Sequence, residues 1–218
     1  MKNTLYILLI TLVTSIQVFS QEKHNEEKPQ VNIFNEGYFV SKNIQKDNLE
    51  SDILNSITYF KNNKLRSESP YYVGSGQTIL IVDIETNETL ALTDHPYYGK
   101  TFSLKKKNSK EDQKEKYEVV LGNKKRKILG YNCQQYIIKI NESIQFEVFG
   151  TKEINTTYLK NVNKTKPLAS KVGFILYRKV ISEGETQSIS EVVKIVSEPV
   201  SDKKFSLTPP KEYLKTGE

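Results

Sequence analysis

Few side chains in this sequence could carry catalysis, because the residue types that serve enzymes as nucleophiles, bases and metal ligands are scarce. The 218 residues include two His, one Cys and no Trp. His24 lies in a polar segment near the amino terminus, which leaves His95 as the one imidazole available as a general base. It stands in the turn-forming run Thr93-Asp94-His95-Pro96, where an exposed loop histidine is the simpler interpretation.

Motifs for metal, phosphate or cofactor binding are also missing. Cys133 lies in a strand-like segment and has no nucleophile signature around it. The sequence contains no spaced acidic calcium loop and no glycine-rich phosphate loop. Paired carboxylates leave no local signature, so a carboxylate-based hydrolase is the enzyme alternative. We therefore expect a protein that is not an enzyme and holds no metal ion or cofactor.

Two tyrosine pairs are the candidate ligand-binding residues. Tyr71 and Tyr72 follow a proline, as do Tyr97 and Tyr98, and a glycine comes soon after each pair. Aromatic rings on such loops offer apolar area with a polar tip and can line the mouth of a pocket. The alternative is that the rings anchor their loops on the core.

The amino terminus has the pattern of a secretory signal peptide. Lys2 precedes an apolar stretch from Leu5 to Val13, and a polar tail ends before Gln21. This stretch is shorter than the roughly 18 to 20 residues that span a bilayer. We expect a signal peptide over residues 1–20, a disordered leader over residues 21–30, and an exported protein that is periplasmic or secreted.

Export sets the expectations for the cysteine and for the basic residues. Cys133 has no disulfide partner in the chain, so we expect it to be buried as a small hydrophobe, and no cysteine stands at the new amino terminus to carry a lipid anchor. The formal charge is +6. The run Lys124–Lys127 is typical of a nucleic-acid patch. In an exported protein, however, these residues are more simply interpreted as the solvated tip of a turn. Together, Lys124–Lys127 and residues 105–107 could make peripheral contact with an anionic membrane surface. No nucleic-acid partner is expected.

Residues 31–215 have the pattern of a single antiparallel all-β domain with minor helix. The best short helix candidate is Asn48 to Ile57, and the polar stretches 105–116 and 161–170 are predicted loops. Five pairs of strand-like segments flank short polar turns: residues 57–61 with 64–66, 77–84 with 89–93, 117–121 with 127–129, 136–140 with 143–149, and 171–182 with 186–196.

Several strands are apolar at consecutive positions, which indicates that both faces of the sheet are covered in places. Examples are Ile79 to Val82 and Phe174 to Tyr177. A sheet with one wet face alternates instead. The pattern fits equally a sheet curled into a barrel or half-barrel beneath a cover and a β-sandwich of two packed sheets.

The run from Lys127 to Tyr136, with Gly130-Tyr131-Asn132-Cys133 at its centre, resembles a stretch of uncharacterised exported bacterial envelope proteins. These proteins are related to the lipoprotein-carrier (LolA/LolB-like) half-barrel and include a subgroup named for a Gly-Leu-Pro-Gly-Leu-Ile motif, near whose place this chain has residues 171–176. Phe146–Phe149 is similar to one of their strands, and Asp202–Pro210 to their closing segment before a final Tyr, here Tyr213.

The resemblance implies a single, strongly curved antiparallel sheet that encloses an apolar cavity, which in the carrier proteins holds acyl chains. Gly130 would then permit a kink or bulge, Tyr131 would anchor the bend, and Cys133 would point inward as a filler. We expect an exported, non-enzymatic envelope protein that binds a lipid-like or acylated ligand. The alternative is a β-rich interaction module whose Tyr71, Tyr72, Tyr97 and Tyr98 contact another envelope protein or a glycan.

Overall fold

The computed structural model of the chain describes residues 32–45, 54–70, 76–106, 117–156 and 167–216. The predicted signal peptide and leader, residues 1–30, lie outside these described residues. So do residues 48–53 of the predicted helix, 107–116 of one predicted loop and 161–166 of the other.

Strands dominate the described residues, which include one short helix α1 (Pro167–Val172) and one 3₁₀ helix (Asp202–Phe205). The strands in chain order are β1 (Asn32–Phe34), β2 (Glu36–Gln45), β3 (Leu54–Lys61), β4 (Lys64–Pro70), β5 (Gln77–Asp83), β6 (Glu88–His95), β7 (Gly99–Lys106), β8 (Glu118–Ile128), β9 (Tyr131–Lys139), β10 (Ile144–Thr151), β11 (Ile154–Thr156), β12 (Phe174–Ser182), β13 (Glu185–Val196) and β14 (Leu214–Lys215).

Twelve of these strands form one sheet, in the order β14-β7-β6-β5-β4-β3-β2-β13-β12-β10-β9-β8. All neighbours pair antiparallel except β14, which runs parallel to β7. The short strands β1 and β11 pair with each other in parallel. The all-β class with minor helix is therefore confirmed. Among the described strands no second sheet of comparable size packs on the first, so the β-sandwich alternative is wrong.

The sheet is not strongly curled, which corrects the curvature implied by the resemblance. Sharp bending of a sheet needs bulges or glycine kinks that break the ladder. The register runs without a shift from β2 through β7, and every shift lies in β8, β10, β12 or β13. The regular half of the sheet therefore has no device that would close it.

Four of the five predicted hairpins are confirmed, because their turn residues accept the required backbone. Asn62, Asn87 and Glu183 have positive φ in the β3–β4, β5–β6 and β12–β13 turns. In the β9–β10 turn the Asn141 side chain accepts hydrogen bonds from the N–H groups of Ser143 and Ile144. Such local bonds let Asn initiate a turn.

The hairpin predicted around Gly122-Asn123 is wrong. Strand β8 runs through this point, and the register shift between Leu121 and Lys125 marks a bulge. The turn comes later, at Leu129 and Gly130, whose φ values are 51° and 88°. Gly130 is thus a turn residue rather than the kink or bulge that the resemblance implies.

Two helix assignments also change. Residues 54–57 of the predicted helix belong to β3, because all four pair with β2 and Ile57 also pairs with β4. Conversely, the predicted strand from Lys171 begins only at Phe174, since α1 ends at Val172. Proline at the first position of α1 is compatible with a helix start.

The two faces of the sheet have separate covers. We call the side of the sheet that carries Tyr38, Val40 and Lys42 of β2 the opposite face. Its core consists of Ile79, Ile81, Leu90 and Leu92. Leu207 and Tyr213 of the carboxyl-terminal segment pack against this core. The groove face, the side of Phe39, Ser41 and Asn43, is covered over β9 and β10 by Val172 of α1. In β12 both Phe174 and Leu176 are buried, but among Ile79 to Val82 of β5 only Ile79 and Ile81 are buried and Leu80 is 40% exposed, so the expected cover on both faces is wrong for Ile79 to Val82.

Candidate ligand-binding groove

A groove of about 480 Å³ lies on the groove face, over β2, β3, β4, β12 and β13. Its floor consists largely of small hydroxyl side chains, which leave room above the sheet where larger residues would fill it. Strand pairing places them side by side, with Ser41 opposite Ser56 and Thr58 opposite Ser67. The Ser and Thr residues that line the groove are Ser41, Ser56, Thr58, Ser67, Ser69, Ser188 and Ser190.

The floor is ordered by hydrogen bonds between its side chains. Asn43 Nδ2 donates to Ser56 Oγ at 2.7 Å, and Ser69 Oγ donates to the same oxygen at 2.9 Å. Thr58 Oγ1 donates to Ser67 Oγ at 3.2 Å. These bonds fix the rotamers of the floor, so the groove is formed before any ligand arrives.

The groove is apolar at its inner end. Leu176 and Val192, which are 1% and 5% exposed, belong to the core cluster that includes Cys133 and Phe174. Phe39 packs against the same cluster, and its ring centroid lies 5.4 Å from that of Phe174. A ligand entering to this depth would therefore meet aliphatic and aromatic side chains.

The outer end of the groove is polar along β2 and β13. Asn43 is opposite Ser190, and Gln45 is opposite Ser188. Leu54 and Pro70 border this end on β3 and β4. From Phe39 to Gln45 the groove follows β2 for about 20 Å, at 3.4 Å per residue. Along β2 and β13 the groove thus changes from apolar to polar, whereas on β3 Thr58 lies beside Phe39 and Leu54 lies beside Asn43.

Among the described residues that line the groove, Arg178 has the one charged side chain. It is exposed, and strand pairing places it opposite Ser190. In contrast, Glu36, Glu68 and Glu191 of the same strands lie on the opposite face, where each has a basic partner within 4.0 Å. Within the described part of the chain, no carboxylate pairs with Arg178.

The predicted tyrosine sites divide between described and undescribed residues. Tyr71 and Tyr72 lie outside the described residues, although Pro70 before them borders the groove. Tyr97 and Tyr98 are 77% and 81% exposed in the β6–β7 turn, so they do not anchor the turn on the core. His95 Nδ1 accepts hydrogen bonds from both of their N–H groups, which commits this nitrogen to the turn.

The predicted structural motif lies at the tip of the β8–β9 hairpin. Gly130 completes the turn, and Tyr131 begins β9 and packs against the core cluster of Cys133. Cys133 is 2% exposed, and its thiol donates to Tyr131 O at 3.5 Å. Burial raises the pKa of this thiol to about 11.

Cys133 is expected to resist Ellman's reagent at pH 8 in the folded protein and to react fully after unfolding in guanidinium. With a pKa near 11, only about one thiol in a thousand is ionised at pH 8. Folding favours the neutral thiol, so the contribution of this group to the free energy of unfolding is lost as pH rises from 9 toward 11. In the control, Lys203→Cys adds an exposed thiol that reacts within minutes; equally fast reaction of Cys133 would contradict its burial.

The basic run is placed on an edge strand rather than at a turn. Lys124, Lys125 and Lys127 are exposed on β8, where lysines discourage pairing with another sheet. Arg126 is an exception, since its guanidinium lies 4.1 Å from the Tyr177 ring centroid and 3.1 Å from Glu191 Oε2. Lys105 and Lys106 lie on β7, near the other end of the sheet, so the structure does not bring the two basic segments together.

The tyrosine and cysteine patterns of the sequence did not predict the position of the groove. A signal for it exists in the sequence as hydroxyl or amide residues at every second position: Ser41 and Asn43, Ser56 and Thr58, Ser67 and Ser69, Ser188 and Ser190. Such alternation puts all of them on one face of a strand. What the sequence does not reveal is that four strands place these pairs side by side.

The described residues provide neither a metal cluster nor a membrane-spanning helix. No three His, Cys, Asp or Glu side chains among them are grouped to hold a metal ion. None of the described helices is both long and apolar enough to cross a bilayer.

Comparison with solved structures gives matches of low sequence identity. The structure of PNGF-II in the C2 space group is 16% identical, with a TM-score of 0.48 over 83% of this chain and 31% of that chain. MucB in complex with MucA(peri) is 10% identical, with a TM-score of 0.43 over 82% of this chain and 55% of that chain. The MucA/MucB complex of Pseudomonas aeruginosa is 10% identical, with a TM-score of 0.45 over 81% of this chain and 56% of that chain.

The chain therefore spans about a third of the PNGF-II chain and just over half of the MucB chain. The comparison with curated protein sequences gives no significant match. A family match covers most of the chain, from residue 42 to residue 213. On that match the chain belongs to the family described as Domain of unknown function (DUF4412).

Proposed function

We propose that this protein is an exported, non-enzymatic protein of the cell envelope that binds an amphipathic, lipid-like ligand in the groove. The observation that carries the proposal is a preformed groove of about 480 Å³ in which apolar Phe39, Leu176 and Val192 lie beside a floor of hydroxyl side chains. Pockets for small molecules have volumes of roughly 300 to 1,000 Å³ and combine apolar walls with a few placed polar groups.

Export and the absence of catalysis rest on sequence and on the state of the candidate catalytic groups. The amino-terminal pattern of Lys2 followed by Leu5–Val13 supports export. The Cys133 thiol is buried and protonated, and His95 Nδ1 is occupied by backbone N–H groups. Neither group is placed to act as nucleophile or base. The resemblance to carrier proteins that hold acyl chains supports the ligand class.

Filling the groove is expected to abolish binding of the neutral fluorescent probe N-phenyl-1-naphthylamine. Ser190 is half-buried on the groove floor beside Asn43 and Arg178. In Ser190→Phe the ring would occupy the space above the floor, and affinity should fall by at least about tenfold, the effect of 1.4 kcal/mol. A fluorescence titration of delipidated protein measures the saturable binding.

Two controls separate the groove from other surfaces. Ser190→Ala removes the hydroxyl without filling the space and should retain binding, while circular dichroism confirms that both variants are folded. The double variant Tyr97→Ser/Tyr98→Ser should also retain binding, because those rings lie in the β6–β7 turn. If the tyrosine variant lost probe binding while Ser190→Phe kept it, the groove would not be the binding site, and the interaction module would be favoured.

A further inference from the structure

We propose that the ligand carries an anionic oxygen group, carboxylate or phosphate, which Arg178 holds at the outer end of the groove. The inference rests on the proposed function, because it specifies the polar end of the same ligand. The apolar chain would extend toward Phe39, Leu176 and Val192, away from the guanidinium.

The charge distribution over the two faces is the first argument. Among the described residues that line the groove there is no Asp or Glu, and Arg178 is the one charged residue. Several basic residues that face the other way are paired with carboxylates, as Lys61 is with Glu36 and Arg126 with Glu191. A guanidinium whose described neighbours in the groove include no carboxylate creates a positive potential there, and that potential favours anionic ligands.

The donors around Arg178 are the second argument. Arginine presents up to five N–H donors in a planar fork that matches the two oxygens of a carboxylate or a phosphate. Ser190 stands directly opposite Arg178 on the neighbouring strand, and Asn43 stands opposite Ser190. Asn43 Nδ2 is already committed to Ser56 and to Leu54 O. The Ser190 hydroxyl is therefore the neighbouring donor that could join the guanidinium on an oxyanion.

The polarity of the two ends is the third argument. A ligand that is polar throughout would place polar groups against Phe39, Leu176 and Val192 at the inner end, where these side chains offer no hydrogen-bond partner. A purely apolar ligand would bury the Ser190 hydroxyl and the Arg178 guanidinium near the outer end without partners, which costs free energy. An anionic group on an apolar chain satisfies both ends at once.

Competition against N-phenyl-1-naphthylamine tests the inference with three ten-carbon compounds: decanoate, decyl phosphate and decanol, each below its aggregation limit at pH 8. In the unchanged protein, at least one anion should displace the probe at about tenfold lower concentration than decanol, as expected for a charge-assisted hydrogen bond. The better of the two anions identifies the carboxylate or the phosphate as the preferred group.

Variants at Arg178 test whether the preference for an anion comes from this residue or from the net charge of the protein. Arg178→Gln should remove the preference for the anion while decanol still competes, and Arg178→Lys should keep part of it. Lys203→Gln removes one exposed charge on the opposite-face side and should change nothing. Equal competition by decanol and both anions, with probe binding intact, would overturn the inference and leave the proposed function standing. No saturable binding of the probe at all would overturn both.

Discussion

Replacing Phe205 by Ala is expected to lower the free energy of unfolding by about 3 to 5 kcal/mol, the usual cost of emptying a buried aromatic site. Phe205 ends the 3₁₀ helix and is 3% exposed. The helix packs against β4 and β5, on the face that Leu207 and Tyr213 also cover. The loss would appear as a shift of the denaturation midpoint in urea and a fall in Tm of about 10 °C.

The expected size of this effect follows from how firmly the carboxyl-terminal segment is held. Lys61 Nζ donates to Val200 O at 3.0 Å, and Arg66 donates to Lys204 O at the same distance. The N–H of Val200 donates to Glu36 and lowers the pKa of that carboxyl. With the backbone fixed at both ends of the 3₁₀ helix, the chain cannot collapse to fill the space that Phe205 leaves.

Leu214→Ala is the matched control in the same segment. Leu214 pairs with β7 through its backbone but is 73% exposed, so its truncation should change stability by no more than about 0.5 kcal/mol. A Phe205→Ala variant as stable as Leu214→Ala would show that the segment is not part of the cooperative fold.

The sequence predicts those hairpins whose turns are made by local chemistry. Asn62 and Asn87 adopt the left-handed backbone that a tight turn needs, and Asn141 caps its own turn. These preferences depend on a few neighbouring residues, so they are legible without the rest of the chain. The sequence does not predict the turn at Leu129-Gly130, because Leu rarely has a positive φ. Leu129 adopts this backbone only because the paired strands on either side impose it.

Features that depend on distant strands are not legible in this way. The bulge in β8 uses Gly122, where a Cβ would contact the side chain of Gln135 on β9. The groove likewise requires β2 to lie between β3 and β13, a neighbour more than 140 residues away in sequence. Alternating Ser and Thr predict a polar strand face, but only the strand order turns four such faces into one floor.

Gly173→Ala is expected to be among the most destabilising single-methyl changes in the chain, at about 2 to 5 kcal/mol. Its φ of +76° costs an L-residue about 1 to 2 kcal/mol. The added Cβ would also press into the backbone of Thr151, whose carbonyl carbon would be 2.9 Å away, and overpacking of this kind costs about 1 to 3 kcal/mol more. Urea denaturation followed by circular dichroism measures the sum.

Two other glycines separate the two causes. Gly184 has nearly the same φ, +80°, but its Cβ would meet nothing within 4 Å, so Gly184→Ala should lose only about 1 to 2 kcal/mol. Gly150 lacks the positive φ, but its Cβ would meet Val172, with Cγ1 at 2.6 Å, so Gly150→Ala should lose about 1 to 3 kcal/mol. If Gly173→Ala cost no more than Gly184→Ala, the end of α1 would not be pressed against β10, and the cover over this half of the groove face would be loose.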